Sequence, residues 1–283
     1  MEVLNIPIRD TAKSLTLPWQ EIWIVPLGDI QLGDGCTDLE RLVRMIAWAK
    51  DIEAQGGPPT YYIGMGDYGD LLSPSNRAAW KATRLYDSAR LAMESQVERI
   101  EEDLKEILHP TAGRWLGMLE GHHTFEHDDG TTTDTRLCQF LETTFLGTCA
   151  FVNLSFHQQL PSGGRSKALR YTIWAHHGTG GGKTPHTPLL ALEAILPYFD
   201  ADLYLMGHQT KKVATPVPYL YSAAKGGRVI AKKRFLVGTG GFTKGYAQGR
   251  LNLAGRPEGS YIEKGMLSPV ALGTTLIKVR PIF

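Results

Sequence analysis

Five short apolar segments in this chain of 283 residues are each followed by an aspartate or a histidine. In an open α/β sheet the carboxyl ends of the strands meet at one edge, where residues from separate strands face a common crevice. The spacing therefore predicts one site assembled from five strand ends. We call these groups the five strand-end motifs: Gly28-Asp29-Ile30-Gln31, Gly66-Asp67-Tyr68, Gly121-His122-His123, His176-His177 and Gly207-His208.

The apolar segments have the length and composition of buried strands, being short and rich in aromatic and β-branched residues. The five that precede the motifs cover residues 22–27, 61–63, 115–119, 171–175 and 203–206. Further strands are predicted at residues 150–156, 235–237 and 274–279, with no helical pattern between the last two.

Helical patterns separate the early strands. Thr37 begins a capping box that ends at Glu40, and Val43 lies on the apolar face of the helix that follows. A long helix follows the second motif and is predicted to stop at His109-Pro110, because the residue before a proline disfavours helical geometry.

Two more helices are predicted further along the chain. One covers residues 134–146 and places Phe140 and Phe145 on its inner face at helical spacing. The other opens at Thr187-Pro188, with the threonine as N-cap and the proline in the first turn.

The order of elements predicts the fold class. Parallel βα units followed by plainer strands favour an α/β fold in which two sheets pack together with helices outside. We expect one domain over residues 1–283, with an N-terminal extension at residues 1–20 and a loop-rich insertion at residues 240–268.

Composition excludes several classes of protein. The formal net charge of +1 does not suggest a dedicated nucleic-acid or membrane-surface protein. Because no signal-peptide or membrane-spanning pattern is found, a cytoplasmic protein without a membrane partner is expected. The three cysteines are widely spaced and never form Cys-x-x-Cys, which argues against a disulfide framework and against a thiolate metal site.

The residue types in the motifs indicate metal chemistry. Carboxylates and neutral imidazoles are the ligands that divalent metals take in proteins. A single Gly-Asp after a strand is usually only a turn, since the Asp side chain can bond its own backbone there. Five motifs at five strand ends favour the metal interpretation.

Two glycine-rich segments resemble the sequence motifs of nucleotide-binding loops. Residues 64–69 match G-x-G-x-x-G, but no helix opens directly after them and Asp67 would repel a pyrophosphate. Residues 178–184 resemble a P-loop, yet His177 stands where its first glycine is required. We interpret the second segment as a glycine lip beside the crevice, with Lys183 available for a substrate phosphate.

Basic residues are concentrated in Lys211-Lys212 and from Lys225 to Arg234. A solvated loop is one interpretation of this cluster. The other is a surface that holds the backbone of a nucleic acid or another polyanion.

Taken together, the five motifs resemble those of the calcineurin-like metallophosphoesterase superfamily and, more loosely, small phosphoesterases of phage and prophage genomes. That family carries Asp-x-His, Gly-Asp, Gly-Asn-His followed by an acid, a later His often followed by Gly, and Gly-His-x-His. This chain has matching groups in the same order over about residues 21–280.

The resemblance implies a four-layer αββα sandwich, the metallophosphatase fold, and hydrolysis of a phosphate ester by metal-activated water. It implies that Asp67 bridges two metal positions and that Asp29 is a ligand of the first. His123 matches the family's non-ligand histidine, which would protonate the leaving oxygen or stabilise charge there.

Three departures from the family pattern make the metal pair unequal. Gln31 and Thr210 replace both histidines of the first metal position, which keeps Asp29, Asp67 and the amide oxygen of Gln31. His122 replaces an asparagine, so the second position would hold Asp67, His122, His208 and either His176 or His177.

Ligand softness then predicts one tightly bound Zn²⁺, Fe²⁺ or Mn²⁺ ion at the histidine-rich position. The oxygen-only position would bind Mg²⁺ or Mn²⁺ weakly or not at all.

The leading functional hypothesis is a metal-dependent phosphoesterase acting on phosphodiesters, with a nucleotide or nucleic acid as substrate. The alternative is a binding or scaffold protein that keeps the fold with a degraded first metal position. The oligomeric state is left open.

Overall fold

The computed structural model describes residues 12–83, 86–158, 167–223, 226–246, 251 and 254–282. Within these residues the strands are β1 Ala12–Pro18, β2 Ile22–Leu27, β3 Thr60–Gly64, β4 Trp115–Met118, β5 Cys149–Gln158, β6 Lys167–His176, β7 Leu203–Met206, β8 Lys212–Ser222, β9 Val229–Gly241, β10 Gly273–Thr274 and β11 Ile277–Val279. The α-helices are α1 Leu39–Ala54, α2 Pro74–Ala82, α3 Asp87–Leu108, α4 Thr133–Phe140, α5 Thr187–Ile195 and α6 Tyr261–Lys264, and a 3₁₀ turn follows α3 at His109–Thr111.

The strands form two mixed sheets. The smaller has the order β11-β2-β3-β4, with β2, β3 and β4 parallel and β11 antiparallel to β2. The larger has the order β1-β5-β6-β7-β9-β10, and β8 pairs with β9. Parallel pairing of β6, β7 and β9 brings their carboxyl ends to the same edge, as the parallel pairing of β2, β3 and β4 does in the smaller sheet.

An apolar cluster joins the inner faces of the two sheets. Ile24 and Ile63 of the smaller sheet belong to the same buried cluster as Leu154, Ile173 and Leu205 of the larger sheet. Alternate side chains of a strand point to one face, so each strand supplies every second residue to this cluster. The arrangement is compatible with an α/β sandwich, and the predicted mixed α/β class is confirmed.

Helices cover the outer faces. Leu42 of α1, Leu104 of α3 and Leu137 of α4 pack in one cluster with the outer side chains of the smaller sheet. Leu192 of α5 packs with Trp174 of the larger sheet in a separate cluster. Strands β2, β4 and β7 are therefore buried along their whole length, which explains the continuous apolar segments in the sequence.

Seven of the eight predicted strands are present as single strands, whereas the one predicted at 274–279 is divided into β10, which pairs with β9, and β11, which pairs with β2. Two further strands were not predicted. β1 pairs in parallel with β5, so residues 12–18 of the predicted N-terminal extension belong to the larger sheet, and residues 1–11 lie outside the described part of the chain. β8 contains Pro216 and Pro218, which cannot donate to a sheet ladder and so argue against a strand. They are tolerated because β8 pairs only with β9.

Several helical details were predicted wrongly. Asp38 caps α1, since the hydroxyl of Thr37 instead donates to the carbonyl oxygens of Ile30 and Gln31, and Val43 is 48% exposed. The helix predicted at 134–146 ends at Phe140. Glu142 then takes a left-handed φ of 52°, and helical periodicity no longer orients the residues after it.

The early end of α4 leaves Phe140 and Phe145 exposed instead of inward-facing. α5 begins at Thr187 with His186 at the N-cap position, one residue before the predicted cap. Cys36 and Cys138 are buried, and Cys149 is partly buried. Among the described helices, none combines the length and the apolar character needed to cross a membrane.

Replacing Phe156 tests the cluster between the sheets. Phe156 is fully buried there, so Phe156→Ala should lower the free energy of unfolding by about 3–5 kcal/mol. Phe140→Ala is the matched control, because that ring is 38% exposed and should cost about 1 kcal/mol or less. Denaturant unfolding of the two variants measures the difference, and equal losses would contradict the layer assignment.

Candidate metal centre

The loops after the strands are bonded to one another around Asp29. The amides of Asp29 and Gln31 donate to the carbonyl oxygens of Gly66 (2.9 Å) and Asp67 (3.1 Å), which joins the loops after β2 and β3. The amide of His208, after β7, donates to Asp29 Oδ2 at 2.8 Å. The predicted meeting of these strand ends is confirmed.

Unusual backbone conformation is concentrated in these loops. Eight non-glycine residues among those described have a positive φ, and five of them belong to the first, second and fifth motifs or follow directly after them. Such residues cost free energy unless the surrounding structure holds them, and they collect at functional sites. The five are Asp29 (48°), Gln31 (55°), Asp67 (53°), His208 (64°) and Thr210 (54°).

Three histidines from three motifs form a compact cluster. Nitrogen atoms of His122, His177 and His208 all lie within 4.8 Å of one another. His122 Nδ1 and His208 Nδ1 are 3.1 Å apart. Two nitrogens that bind one tetrahedral Zn²⁺ are separated by about 3.4 Å, given bonds of about 2.0–2.1 Å, so this cluster can hold a metal ion.

The orientation of His177 separates it from its neighbour His176. His177 Nδ1 donates to the carbonyl oxygen of Met65 at 2.6 Å, which leaves Nε2 buried without a hydrogen-bond partner, 3.5 Å from Asp67 Oδ1. His176 Nδ1 accepts from the amide of Gly178 at 2.7 Å, and its ring stacks on Trp174. His177 is therefore the fourth-motif residue in the cluster, and His176 lies outside it.

Asp67 accepts hydrogen bonds from two other motifs. Its Oδ1 accepts from the amides of His122 (2.5 Å) and His123 (2.9 Å), and its Oδ2 accepts from Gln31 Nε2 at 3.0 Å. Burial favours the neutral acid, but the hydrogen bonds and the charge of His177 outweigh it and hold the pKa of Asp67 well below its usual value.

Two histidines of the cluster have pKa values that are shifted in opposite directions. Burial lowers the pKa of His177, but its closeness to the carboxylates of Asp67 and Asp29 raises it to about 9. Burial and the neighbouring His177 and His122 lower the pKa of His208 to about 4. The carboxyl groups of Asp29 and Asp67 stabilise positive charge in this pocket, and the raised pKa of His177 reflects that effect.

Asp29 supplies a second buried carboxyl group. Burial, with the nearby charge of Asp67, raises the pKa of Asp29 to about 7 in spite of His177. Asp29 Oδ1, Gln31 Oε1 and His177 Nε2 are buried and lack hydrogen-bond partners within the described part of the chain. Asp29 Oδ1 and Gln31 Oε1 are hydrogen-bond acceptors. His177 Nε2 is also an acceptor when the ring proton is on Nδ1. A bound cation would satisfy these three acceptor atoms.

His123 lies apart from the cluster and lines a cavity. Its Nδ1 is 3.0 Å from Asp70 Oδ1, and this hydrogen bond raises the pKa of His123. The other ring nitrogen of His123, Nε2, is available to bind another group. The sequence prediction placed His123 correctly at the site but overlooked Asp70, whose only signal is its position three residues after Asp67.

Two further side chains hold the third motif in place, and neither was foreseen. Arg77 of α2 donates to the carbonyl oxygens of Leu72, His122 and Thr124, and Asp134 of α4 accepts from the amide of Gly121. A Cβ atom on Gly121 would lie 2.0 Å from the nitrogen of Asp67, so only glycine allows the third motif to approach the second so closely.

A cavity of about 560 Å³ opens beside the cluster. Asp67, His208 and His123 line it together with the glycine lip at residues 180–182. Lys183 is exposed and does not line it, so the predicted substrate contact is not found there. Lys211 lines it instead.

Two residues of the predicted basic cluster form ion pairs with acids. Arg234 pairs with Asp200 at 2.7 Å, and Lys232 pairs with Asp202 at 3.3 Å. Lys225 lies outside the described residues. The paired side chains have less charge to offer a polyanion, which weakens the nucleic-acid interpretation of this surface.

Adjacent histidines provide a sharp test of the cluster. Because only the His177 nitrogen faces His122 and His208, His177→Gln should lower the affinity for Zn²⁺ or Mn²⁺ by at least 10-fold, whereas His176→Gln should retain it. Metal analysis after dialysis should find about one ion per wild-type chain. Two tight ions in the wild type, or equal loss in both variants, would contradict the assignment.

No protein-family model, curated protein or solved structure matches this chain.

Proposed function

We propose that this protein is a metal-dependent phosphoesterase with a calcineurin-like metallophosphatase fold, acting on phosphodiesters. One observation carries the proposal. Buried acceptor atoms from separate strand ends, without partners of their own, meet beside an open cavity. The two mixed sheets with outer helices are the layers that the resemblance implies for this fold.

The residues present fit a divalent metal. His122, His177, His208 and Asp67 would hold one Zn²⁺, Fe²⁺ or Mn²⁺ ion, and Asp29 with Gln31 Oε1 would offer a weaker oxygen position for Mg²⁺ or Mn²⁺. When bound, the metal supplies Lewis acidity toward a phosphoryl oxygen and lowers the pKa of water.

The protein's own residues supply orientation and a proton. The carbonyl oxygen of Met65 fixes the tautomer of His177, and the backbone amides of the third motif hold Asp67 in place. Asp70 raises the pKa of His123, which favours the protonated imidazole that would donate a proton from Nε2 to the leaving oxygen. The alcohol then departs neutral, and Asp70 stabilises the charged imidazole before the transfer.

The substrate class follows from the cavity. Its volume lies in the range of about 300–1,000 Å³ that holds small-molecule ligands, which leaves room for groups on both sides of a phosphate. Ile262, Leu267 and Val270 give one wall an apolar surface. A dinucleotide or a short nucleic-acid segment is a phosphodiester that combines such apolar and anionic parts.

One observation favours the scaffold alternative. Gln31 Nε2 donates to Asp67 Oδ2, so the amide occupies an oxygen that a metal in the first position would need. A chain that binds one metal tightly and hydrolyses no phosphate ester would establish this alternative.

Loss of the central carboxylate should abolish activity. Asp67→Asn should reduce the hydrolysis of bis-aryl phosphate by at least 100-fold, because the amide cannot balance the positive charge of the site. Asp51→Asn, an exposed position on α1, is the matched control and should retain wild-type rates. Equal rates in the two variants would reject the mechanism, and activity on a mono-aryl phosphate alone would reject the diester preference.

The role of His123 predicts a dependence on the leaving group. His123→Gln should slow the release of a poor alkoxide leaving group by about 10²–10⁴-fold, the usual contribution of general acid catalysis. Release of p-nitrophenolate, which needs little protonation, should slow much less. The ratio of kcat values for the two diesters measures this, and an equal effect on both would contradict proton donation.

A further inference from the structure

A lysine lines the cavity without an acidic partner. Lys211 is 5% exposed, and its Nζ donates to the carbonyl oxygen of Gly182. Within the part of the chain that the structure describes, no carboxylate forms an ion pair with it, and burial lowers its pKa. Burying an ammonium group without a counter-charge is costly, so an anion at this place would be strongly stabilised.

Two hydroxyl groups of the same cavity also lack partners. Thr243 is 7% exposed, and its Oγ1 is buried with no hydrogen bond among the described residues. Ser268 Oγ is also buried without a hydrogen bond among the described residues. Both residues line the cavity together with Lys211. A buried hydroxyl without a hydrogen-bond partner is destabilising, and a bound acceptor can satisfy it.

The chemistry of these three donors points to a phosphate. An ammonium group and two hydroxyls all donate, and a phosphate group presents several acceptor oxygens to them. Among the described lining residues, Lys211 is the only lysine or arginine. The three acids that line the cavity have other partners, because Asp67 accepts from Gln31, Asp70 is bonded to His123 and Asp34 accepts from the amide of Cys36.

We propose that Lys211, with Thr243 and Ser268, binds a second phosphate group of the substrate, next to the phosphate that is hydrolysed. This inference rests on the proposed function and deepens it. The substrate class becomes a phosphodiester that carries a neighbouring phosphate, such as a 5′-phosphorylated dinucleotide. The apolar wall formed by Ile262, Leu267 and Val270 would then contact the base or sugar.

Binding of inorganic phosphate to the full-length protein, with and without chelator treatment, tests the subsite separately from catalysis. Chelator-treated wild type should bind phosphate in calorimetry, and Lys211→Met should bind at least 10-fold more weakly. Lys50→Met, an exposed lysine of α1, should bind like the wild type. Unchanged binding in Lys211→Met, absence of binding in the wild type, or a loss in Lys183→Met instead would overturn the proposal.

Kinetics of the metal-loaded protein test the second phosphate. The wild type should show a KM about 10-fold lower for a 5′-phosphorylated dinucleotide than for the unphosphorylated one, and Lys211→Met should remove this difference in KM. A fall in kcat for both substrates together would show that Lys211 only fixes the glycine lip through Gly182, and would overturn the proposal.

Thr243→Val keeps the shape of the side chain and should weaken phosphate binding several-fold, so it remains informative if Lys211→Met does not fold. Unchanged phosphate binding in a folded Thr243→Val would remove Thr243 from the subsite. Phosphate binding that depends on Lys211 in a protein without phosphoesterase activity would keep the subsite and reject the proposed function.

Discussion

The structure of the site depends on the buried carboxylate of Asp67. Its two oxygens accept hydrogen bonds from the backbone amides of His122 and His123 and from the side-chain amide of Gln31. This one carboxylate therefore connects the second motif to the third and to the first. A buried carboxylate is stable only when hydrogen bonds and opposite charge surround it. Those requirements explain why the loops lie so close together and why glycine stands at position 121.

The same requirement accounts for the strain around the site. Asp29, Asp67 and His208 hold left-handed backbone conformations that sheets and helices do not need. Hydrogen bonds between the loops offset the cost, and as a result acceptor atoms of Asp29, Gln31 and His177, from two strand ends, lie buried and unpaired among the described residues. Such a site is organised before any ligand arrives, as the proposed metal and phosphate would require.

Much of the fold was predictable because burial leaves a clear pattern. Strands buried on both faces appear as apolar segments, and seven of the eight predicted strands occur as predicted, while the last is divided into β10 and β11. β1 was not predicted because a strand at the edge of a sheet carries less of this pattern. β8 was not predicted because a strand that contains prolines is tolerated only at the edge of a sheet. Which strand lies at an edge is decided only when the sheet is assembled. Phe145 was placed wrongly because α4 stops at Phe140.

The sequence by itself determined which kinds of ligand stand at the strand ends, since those residues and their order can be seen without coordinates. Only the tertiary structure decided between His176 and His177, because the carbonyl oxygen of Met65, distant in sequence, orients one ring toward the cluster. It also decided that Lys211 lines the cavity and Lys183 does not. Side-chain direction after a strand depends on contacts between loops far apart in the chain, and no local pattern encodes those contacts.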